Sequence, residues 1–434
     1  MPGRFPKFVI SDFLKNVVTL VSGTTLAQII SLAIYLVITR IYGPEDLGVF
    51  ALFMSIIAIT VILASAKYEL AIMLPARDED SVNLVALSGL LSIGISLVLL
   101  LAVFLFHGPL ARLLGNEDIE FWLYFVPLAT FLNGLYQSLN YWSNRNKRYR
   151  NITAANLGQS LTNSAVKVGL GALVQGPLGL ISGTLTGQAA GFIVFGSSFL
   201  RHDRDRLKHV SMGGIRSMAR KYSLFPKYNM LHGLVNNFSG SLPIFLLTSY
   251  FSSAEAGLYS LGITVIFRPL NLVASALKQV LSQQIIAKQN EGQPILPDLR
   301  KLLVRLFQIG LIPFLVVGIL APVIFRFIFG AEWEEAGRYS QLIMAWLFMV
   351  LLSAPFTFIP DLFSRQRKAL LIEVVKMAAR IAALASGIYM ENIYIAVLLY
   401  GIVSFLATSW QLAWYFILAR RADAAKPSNR KDNE

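Results

Sequence analysis

Apolar runs of about twenty residues recur along the whole chain, each long enough to cross a hydrocarbon core of about 30 Å as a helix. Only 14% of the 434 residues are charged and 55% are hydrophobic. A soluble domain carries about 25% charged residues. In lipid every backbone amide must find its partner inside the protein, so spanning segments are helices or closed barrels. The alternating segments of about ten residues that build a barrel are not seen. The chain therefore reads as an all-α polytopic membrane protein. Spans are expected near 14–40, 47–74, 83–106, 119–142, 152–175 and 178–200, then near 226–250, 256–287, 302–328, 337–360, 368–389 and 393–419.

Those twelve spans fall into two related sets of six. Residues 39–53 read TRIYGPEDLGVFALF, and residues 248–262 read TSYFSSAEAGLYSLG. Thr39/Thr248, Tyr42/Phe251, Asp46/Glu255, Gly48/Gly257, Phe50/Tyr259 and Leu52/Leu261 match in order. ILASA at 62–66 matches LVASA at 272–276, and RNKRYR at 145–150 sits where RQRKAL does at 365–370. Repeated halves of this kind are common in transporters, with the functional site at their junction. Six spans per half, an even number, predict a pseudo-two-fold axis along the membrane normal. The expected organisation is an interfacial head at 1–13, an N-lobe at 14–200, a basic inter-lobe loop at 201–225, a C-lobe at 226–419 and a disordered tail at 420–434.

Net charge is +14, and the bases gather in alternate loops. Arg145, Lys147, Arg148 and Arg150 occupy one, Arg201 to Lys227 the next, and Arg365, Arg367 and Lys368 a third. The opposite loops carry acids: Glu45, Asp46, Glu117, Asp118, Glu332, Glu334 and Glu335. The positive-inside rule places the basic side and both termini in the cytoplasm, so nucleic acid is not the expected partner. With no cysteine, disulfides and thiolate metal sites are excluded, and the four histidines have no zinc-ligand spacing. No P-loop sequence exists. Asp78-Glu79-Asp80 and Asp203-Arg204-Asp205 have the DxD form of many glycosyltransferases, but lie in short loops with no soluble domain around them. The four-step ladder Gly179, Gly183, Gly187, Gly191 reads as a surface for close helix packing.

Charge inside a span is costly, so it normally faces protein or a water-filled cavity. The eighth span carries Arg268, Asn271, Ser275, Lys278 and Ser282 on one face. The fifth carries Asn156, Gln159, Asn163 and Lys167; the seventh carries His232, Asn236 and Ser239; the first carries Gln28. Lys67 and Glu69 lie in the second span, two residues apart and so not facing each other on a helix; Glu373, Lys376 and Arg380 lie in the eleventh. Bases outnumber acids, which suits an aqueous cavity that receives an anion. The cationic candidates for substrate binding are Lys67, Lys167, Arg268, Lys278 and Arg380. The polar candidates are Gln28, Asn163, Asn236 and Asn271.

The head FLKNVVTLVSGTTLAQ (13–28), the turn TRIYGPEDLGVFAL, KYELAIMLP (67–75) and FGAEWEEAGRYSQLIMAW (329–346) followed by SAP (353–355) resemble the Wzx-type polysaccharide flippases. That family lies within the multidrug/oligosaccharidyl-lipid/polysaccharide exporter (MOP) superfamily. The resemblance covers about residues 10–420. It implies a MATE-like fold of about twelve helices in two pseudo-symmetric six-helix lobes. It also implies translocation of undecaprenyl-pyrophosphate-linked oligosaccharide units across the bacterial inner membrane, for O-antigen, capsule or exopolysaccharide. A polysaccharide polymerase and a chain-length regulator are the implied protein partners. No cofactor is implied beyond a proton gradient, for which Glu69 and Asp361 are the coupling candidates. In the family fold helices 1, 2, 7 and 8 line the central cleft, which puts Gln28, Lys67, Asn236, Arg268 and Lys278 there. This chain departs from relatives in having Arg268 adjacent to Pro269 and Lys278, not Gly, before Gln279. The alternative on the same fold is a multidrug or metabolite antiporter. Multidrug members commonly use an acid within helix 1, which this chain lacks. A membrane polymerase or ligase needs a long extracytoplasmic loop, and the loops here are short.

Overall fold

The computed structural model describes residues 26, 28–30 and 33–424, and among these it is built from helices without a strand. By packing it divides into two compact units, Met1–Gly257 and Leu258–Glu434. The first unit contains α1 (Tyr35–Ile41), α2 (Pro44–Ala64), α3 (Asp78–Leu113), α4 (Ile119–Leu123), α5 (Val126–Arg145), α6 (Tyr149–Gly171), α7 (Leu178–His202), α8 (Met212–Lys221) and α9 (Leu231–Tyr250). It ends within the first turns of α10 (Ser253–Asn290). The second unit continues α10 and adds α11 (Leu296–Phe329), α12 (Glu334–Ser353), α13 (Ile359–Leu362), α14 (Gln366–Tyr389) and α15 (Ile393–Ala424).

Seven helical segments are long and apolar enough to cross a membrane by composition alone: α2, α3, α7, α10, α11, α15 and the segment Ala331–Leu362 around α12. Four more helices have the length but a more polar face: α5 with 20 residues, α6 with 23, α9 with 20 and α14 with 24. At 1.5 Å per residue each reaches about 30 Å. In α6 and α14 the charged groups Lys167, Glu373, Lys376 and Arg380 are buried in the protein. With the first apolar helix, Gln28–Ile41, these helices make the twelve expected spans.

Between α1 and α2 the chain turns at Gly43-Pro44. Proline at the first helical position suits the helix start, and the Gly43 N–H donates to the Asp46 carboxylate at 3.3 Å. The twin elbow before α10 is capped by Ser252, whose hydroxyl accepts from the Glu255 N–H at 3.1 Å. The Asp46 carboxylate and the Ser252 hydroxyl thus cap the two helix starts. The matched glycines explain why the two elbows share a pattern. A methyl group on Gly48 would lie 1.8 Å from the Ser253 carbonyl oxygen, and one on Gly257 would lie 1.9 Å from the Pro44 carbonyl oxygen. The start of each helix rests on the elbow of the other, at a distance only a residue without Cβ allows.

The glycine ladder of α7 packs on α6, as its spacing predicts. Methyl groups on Gly183 and Gly187 would meet Lys167 Cγ at 2.6 Å and Asn163 Cβ at 2.7 Å. Tyr42 from the first elbow fills the gap at Gly179 and donates its hydroxyl to the Lys167 carbonyl at 2.6 Å. The basic stretch 201–225, expected as a loop, is largely helical. Ser211 caps α8 by accepting from the Gly214 N–H at 3.1 Å, and Ile215 and Met218 bury their side chains in the core cluster that also holds Tyr68, Ile72 and Trp142. α9 opens the second half of the sequence repeat, yet packs on α2 in the first unit, where Asn237 donates to the Ala58 carbonyl at 2.6 Å.

In the second unit α12 and α14 both pack on α15. The core at one end holds Ile285, Leu299, Phe356, Ile359 and Trp414. α15 runs to Ala424, so the first five residues of the expected tail are helical. That extension places Asp423 at the start of α11, where its carboxylate accepts the N–H groups of Ile295 at 3.0 Å and Leu296 at 2.8 Å. The head at 1–13 and residues 425–434 lie outside the described residues.

Candidate functional site

The exposed polar face of α10 is where the sequence candidates gather most densely. Arg268, Asn271, Ser275 and Lys278 all lie on the exposed side of this helix, while Ala274, Leu281 and Ile285 bury the opposite side. Among the described residues Lys278 has no carboxylate partner. Pro269 sits in the helix beside Arg268 and removes one backbone donor there. Arg268 stands about 22 Å along α10 from Ser253, and Lys278 about 38 Å along.

Lys67 occupies the matching position, and here the structure corrects the sequence reading. The second span was expected to run to residue 74, with Lys67 and Glu69 on different faces of one helix. α2 instead ends at Ala64, and Ala66 and Lys67 take left-handed backbone angles, with φ of 48° and 64°. A short 3-10 segment, Tyr68–Met73, follows. The break brings Lys67 Nζ to 3.4 Å from the Glu69 carboxylate, which also accepts from the Ser65 hydroxyl. Lys67 is thus ion-paired, its side chain 27% exposed against 5% for Glu69. Beside it runs α9: a methyl on Gly233 would lie 3.6 Å from Lys67 Cε. Asn236, one turn further along α9, is exposed, as is Gln28.

The remaining candidates are built into packing. Lys167 is buried under the glycine ladder with its ammonium 4.4 Å from the centre of the Phe50 ring, and Asn163 lies one turn away with its Oδ1 buried. Arg380 is buried, donates from Nε to the Ser404 hydroxyl at 2.9 Å and lies over the rings of Trp346 and Tyr400. Lys376 Nζ contacts Glu373 at 2.8 Å, and the Gln411 amide bridges both, accepting from Lys376 at 2.8 Å and donating to Glu373 at 3.1 Å. Gln411 and Ser404 carried no signal in the sequence, because the helix they sit on meets α14 only in the fold. Asp361 is exposed near a span end.

Three of the DxD acids, Asp78, Asp203 and Asp205, are ion-pair partners. Asp203 has a fully buried side chain that accepts from Trp142 Nε1 at 3.0 Å and Arg148 Nη2 at 3.0 Å, with Arg206 Nε at 3.6 Å. Asp78 bridges Arg145 at 3.1 Å and Arg206 at 3.0 Å. This network ties the ends of α3, α5, α6 and α7 together on the basic side of the first unit.

Residues 37–338 match the family described as polysaccharide biosynthesis protein. The chain belongs to this polysaccharide biosynthesis family. No curated protein matches it significantly in sequence. Its fold is that of the MATE transporters. It is similar to an inward-facing multidrug resistance MATE family transporter of the MOP superfamily, at 16% identity and a TM-score of 0.68, over 92% of this chain and 96% of that one. A crystal structure of a mutant MATE transporter VcmN from Vibrio cholerae superposes with a TM-score of 0.62 at 13% identity, over 95% and 98% of the two chains. An outward-facing MATE family transporter gives 0.57 at 14%, over 93% and 96%. This family member is a multi-pass, all-helical membrane protein of MATE-like fold.

Proposed function

We propose that this protein is a flippase for lipid-linked oligosaccharide, carrying undecaprenyl-pyrophosphate-linked repeat units from the cytoplasmic to the periplasmic leaflet by alternating access. The observation that carries this reading is the exposed cationic face of α10, Arg268 to Lys278. A diphosphate taken out of bulk water needs fixed positive charge to offset its lost hydration. Lys278, its repeat mate Lys67 and Arg268 offer that charge. Gln28, Asn236 and Asn271 supply hydrogen bonds to sugar hydroxyls, and the lipid tail stays in the bilayer. The protein then sits in the bacterial inner membrane with both termini cytoplasmic, upstream of a polymerase and its chain-length regulator.

Family membership supports the polysaccharide pathway, and the charge sign separates this reading from a multidrug antiporter. A pump for cationic drugs needs acids in its cavity, whereas the exposed face of α10 offers bases. Lys67→Ala, Arg268→Ala and Lys278→Ala, each restored to a deletion strain, are expected to reduce surface polysaccharide, Arg268→Ala by tenfold or more. Normal polysaccharide in all three variants, together with changed drug sensitivity in the deletion strain, would transfer the assignment to the antiporter. Coupling to protons falls to Glu69 or Asp361. Glu69→Gln is expected to release Lys67 and remove the pH-gradient dependence of translocation in vesicles. Unaltered dependence in both Glu69→Gln and Asp361→Asn excludes the two as coupling groups.

A further inference from the structure

Each half of the sequence repeat carries a cationic cavity that the proposed transport path leaves unused. In the second unit a cavity of about 510 Å³ opens between the start of α14 and the end of α15, lined by Arg365, Lys368 and Arg421 with Trp410 and Trp414. No carboxylate of the described residues pairs with any of these three cations. The acid nearest in sequence, Asp423, is occupied with the N–H groups at the start of α11. Lys368 Nζ lies 5.6 Å from the centre of the Trp414 ring, which is buried, while Trp410 is 49% exposed.

The first unit has a counterpart of about 540 Å³ between the start of α6 and the end of α7. Lys147, Arg150 and Arg201 line it without carboxylate partners among the described residues, beside Arg148, which faces Asp203. α6 and α7 are the fifth and sixth spans of one half, and α14 and α15 are the fifth and sixth of the other. The cavities therefore occupy equivalent places in the repeat, where RNKRYR and RQRKAL align.

We propose that both cavities bind the phosphate group of an anionic membrane lipid at the basic surface of the membrane. Bases that only set topology need neither a concave site nor an aromatic floor. Here three unpaired cations converge on a cavity large enough for a phosphodiester headgroup. The guanidinium groups match phosphate oxygens in a fork geometry. Tryptophan and tyrosine are the side chains that sit at headgroup level, and Trp410 and Trp414 line the second-unit cavity while Tyr149 lines the first. Each basic residue near an anionic surface strengthens attraction by about fivefold.

The test is native mass spectrometry of the purified full chain in neutral detergent, titrated with phosphatidylglycerol or with phosphatidylcholine. The unaltered protein is expected to retain phosphatidylglycerol well above phosphatidylcholine. Arg365→Gln/Lys368→Gln/Arg421→Gln and Lys147→Gln/Arg150→Gln/Arg201→Gln are each expected to lose about half of that retention. The combined variant is expected to bind at least tenfold more weakly. Equal retention of the two lipids, or full retention by the combined variant, overturns the proposal. Thermal unfolding of each variant checks its fold, and Lys368→Gln alone carries the same test where a triple variant fails to fold. In a further arm, sugar-free undecaprenyl diphosphate is added. Displacement of phosphatidylglycerol from the cavities names the diphosphate lipid as the source of the phosphate, and its absence names bilayer phospholipid. None of these readouts uses translocation, so the proposal stands or falls separately from the flippase reading.

Discussion

Gly48→Ala and Gly257→Ala are each expected to destabilise the protein by about 3 kcal/mol or more, at or beyond the upper end of overpacking in a core. The reason is that the obstacle is backbone. The new methyl on residue 48 would lie 1.8 Å from the Ser253 carbonyl oxygen and 2.5 Å from its carbon, and that on residue 257 would lie 1.9 Å from the Pro44 oxygen. No rotamer change relieves such a clash, so one helix start must move away from the other. That move also breaks the neighbouring contacts. Asn116 bonds to Ser253, and Gly115, at a φ of +66°, lies with its missing methyl 2.4 Å from the Ser249 backbone. Thermal unfolding in detergent and the amount of protein reaching the membrane are the readouts. Gly94→Ala and Gly240→Ala are the controls: nothing lies within 4 Å of either added methyl, and both are expected to leave the unfolding temperature unchanged or slightly higher. Unfolding temperatures for Gly48→Ala and Gly257→Ala equal to these controls would show that the elbows do not touch as described.

Asp203→Ala is expected to cost about 3 kcal/mol, near the low end for breaking a buried ion pair. Its side chain is fully buried, and its loss strands the Trp142 N–H and uncovers Arg148 and Arg206. The cost stays at the low end because those arginines are 25% and 34% exposed and recover water. Asp205 lies two residues away in the same DxD motif and is expected to behave differently. A hydrogen bond from Lys208 at 2.7 Å holds its carboxyl below the usual carboxylate range. A lowered carboxyl contributes stability above its ordinary pKa and loses it as pH falls through the shifted value. Both side chains stand in solvent, where such pairs are worth little, so Asp205→Asn is expected to leave the unfolding temperature unchanged at neutral pH. A DxD motif acting on a metal-bound nucleotide would need both acids. Equal losses of stability in the two variants would overturn the structural account of the network.

The candidate site was legible where a single helix carries it. Arg268, Asn271, Ser275 and Lys278 follow the steps of three and four that place residues on one face, and that face is exposed. It was misread where the chain leaves the helix. Lys67 pairs with Glu69 because Ala66 and Lys67 adopt positive φ, and nothing in the run ILASAKYELAIM marks that break. It was invisible where the partner comes from another helix. Arg380 reads as an unpaired base in the sequence, yet Ser404 and the rings of Trp346 and Tyr400 enclose it. Lys167 reads the same way until Phe50 and the glycine ladder are set beside it.

The sequence by itself determined the all-helical, membrane-spanning character of the chain and the packing role of the glycine ladder. These follow from length, periodicity and the missing Cβ, which act within one segment whatever surrounds it. Only the tertiary structure decided which of the charges in the spans are buried and which are exposed. A charge is neutralised by groups within about 4 Å, and those groups come from helices that are distant in sequence. The two elbows show both halves of this. Their shared pattern of residues announced the repeat, but only the fold revealed that Gly48 and Gly257 are glycine because each helix start lies on the backbone of the other.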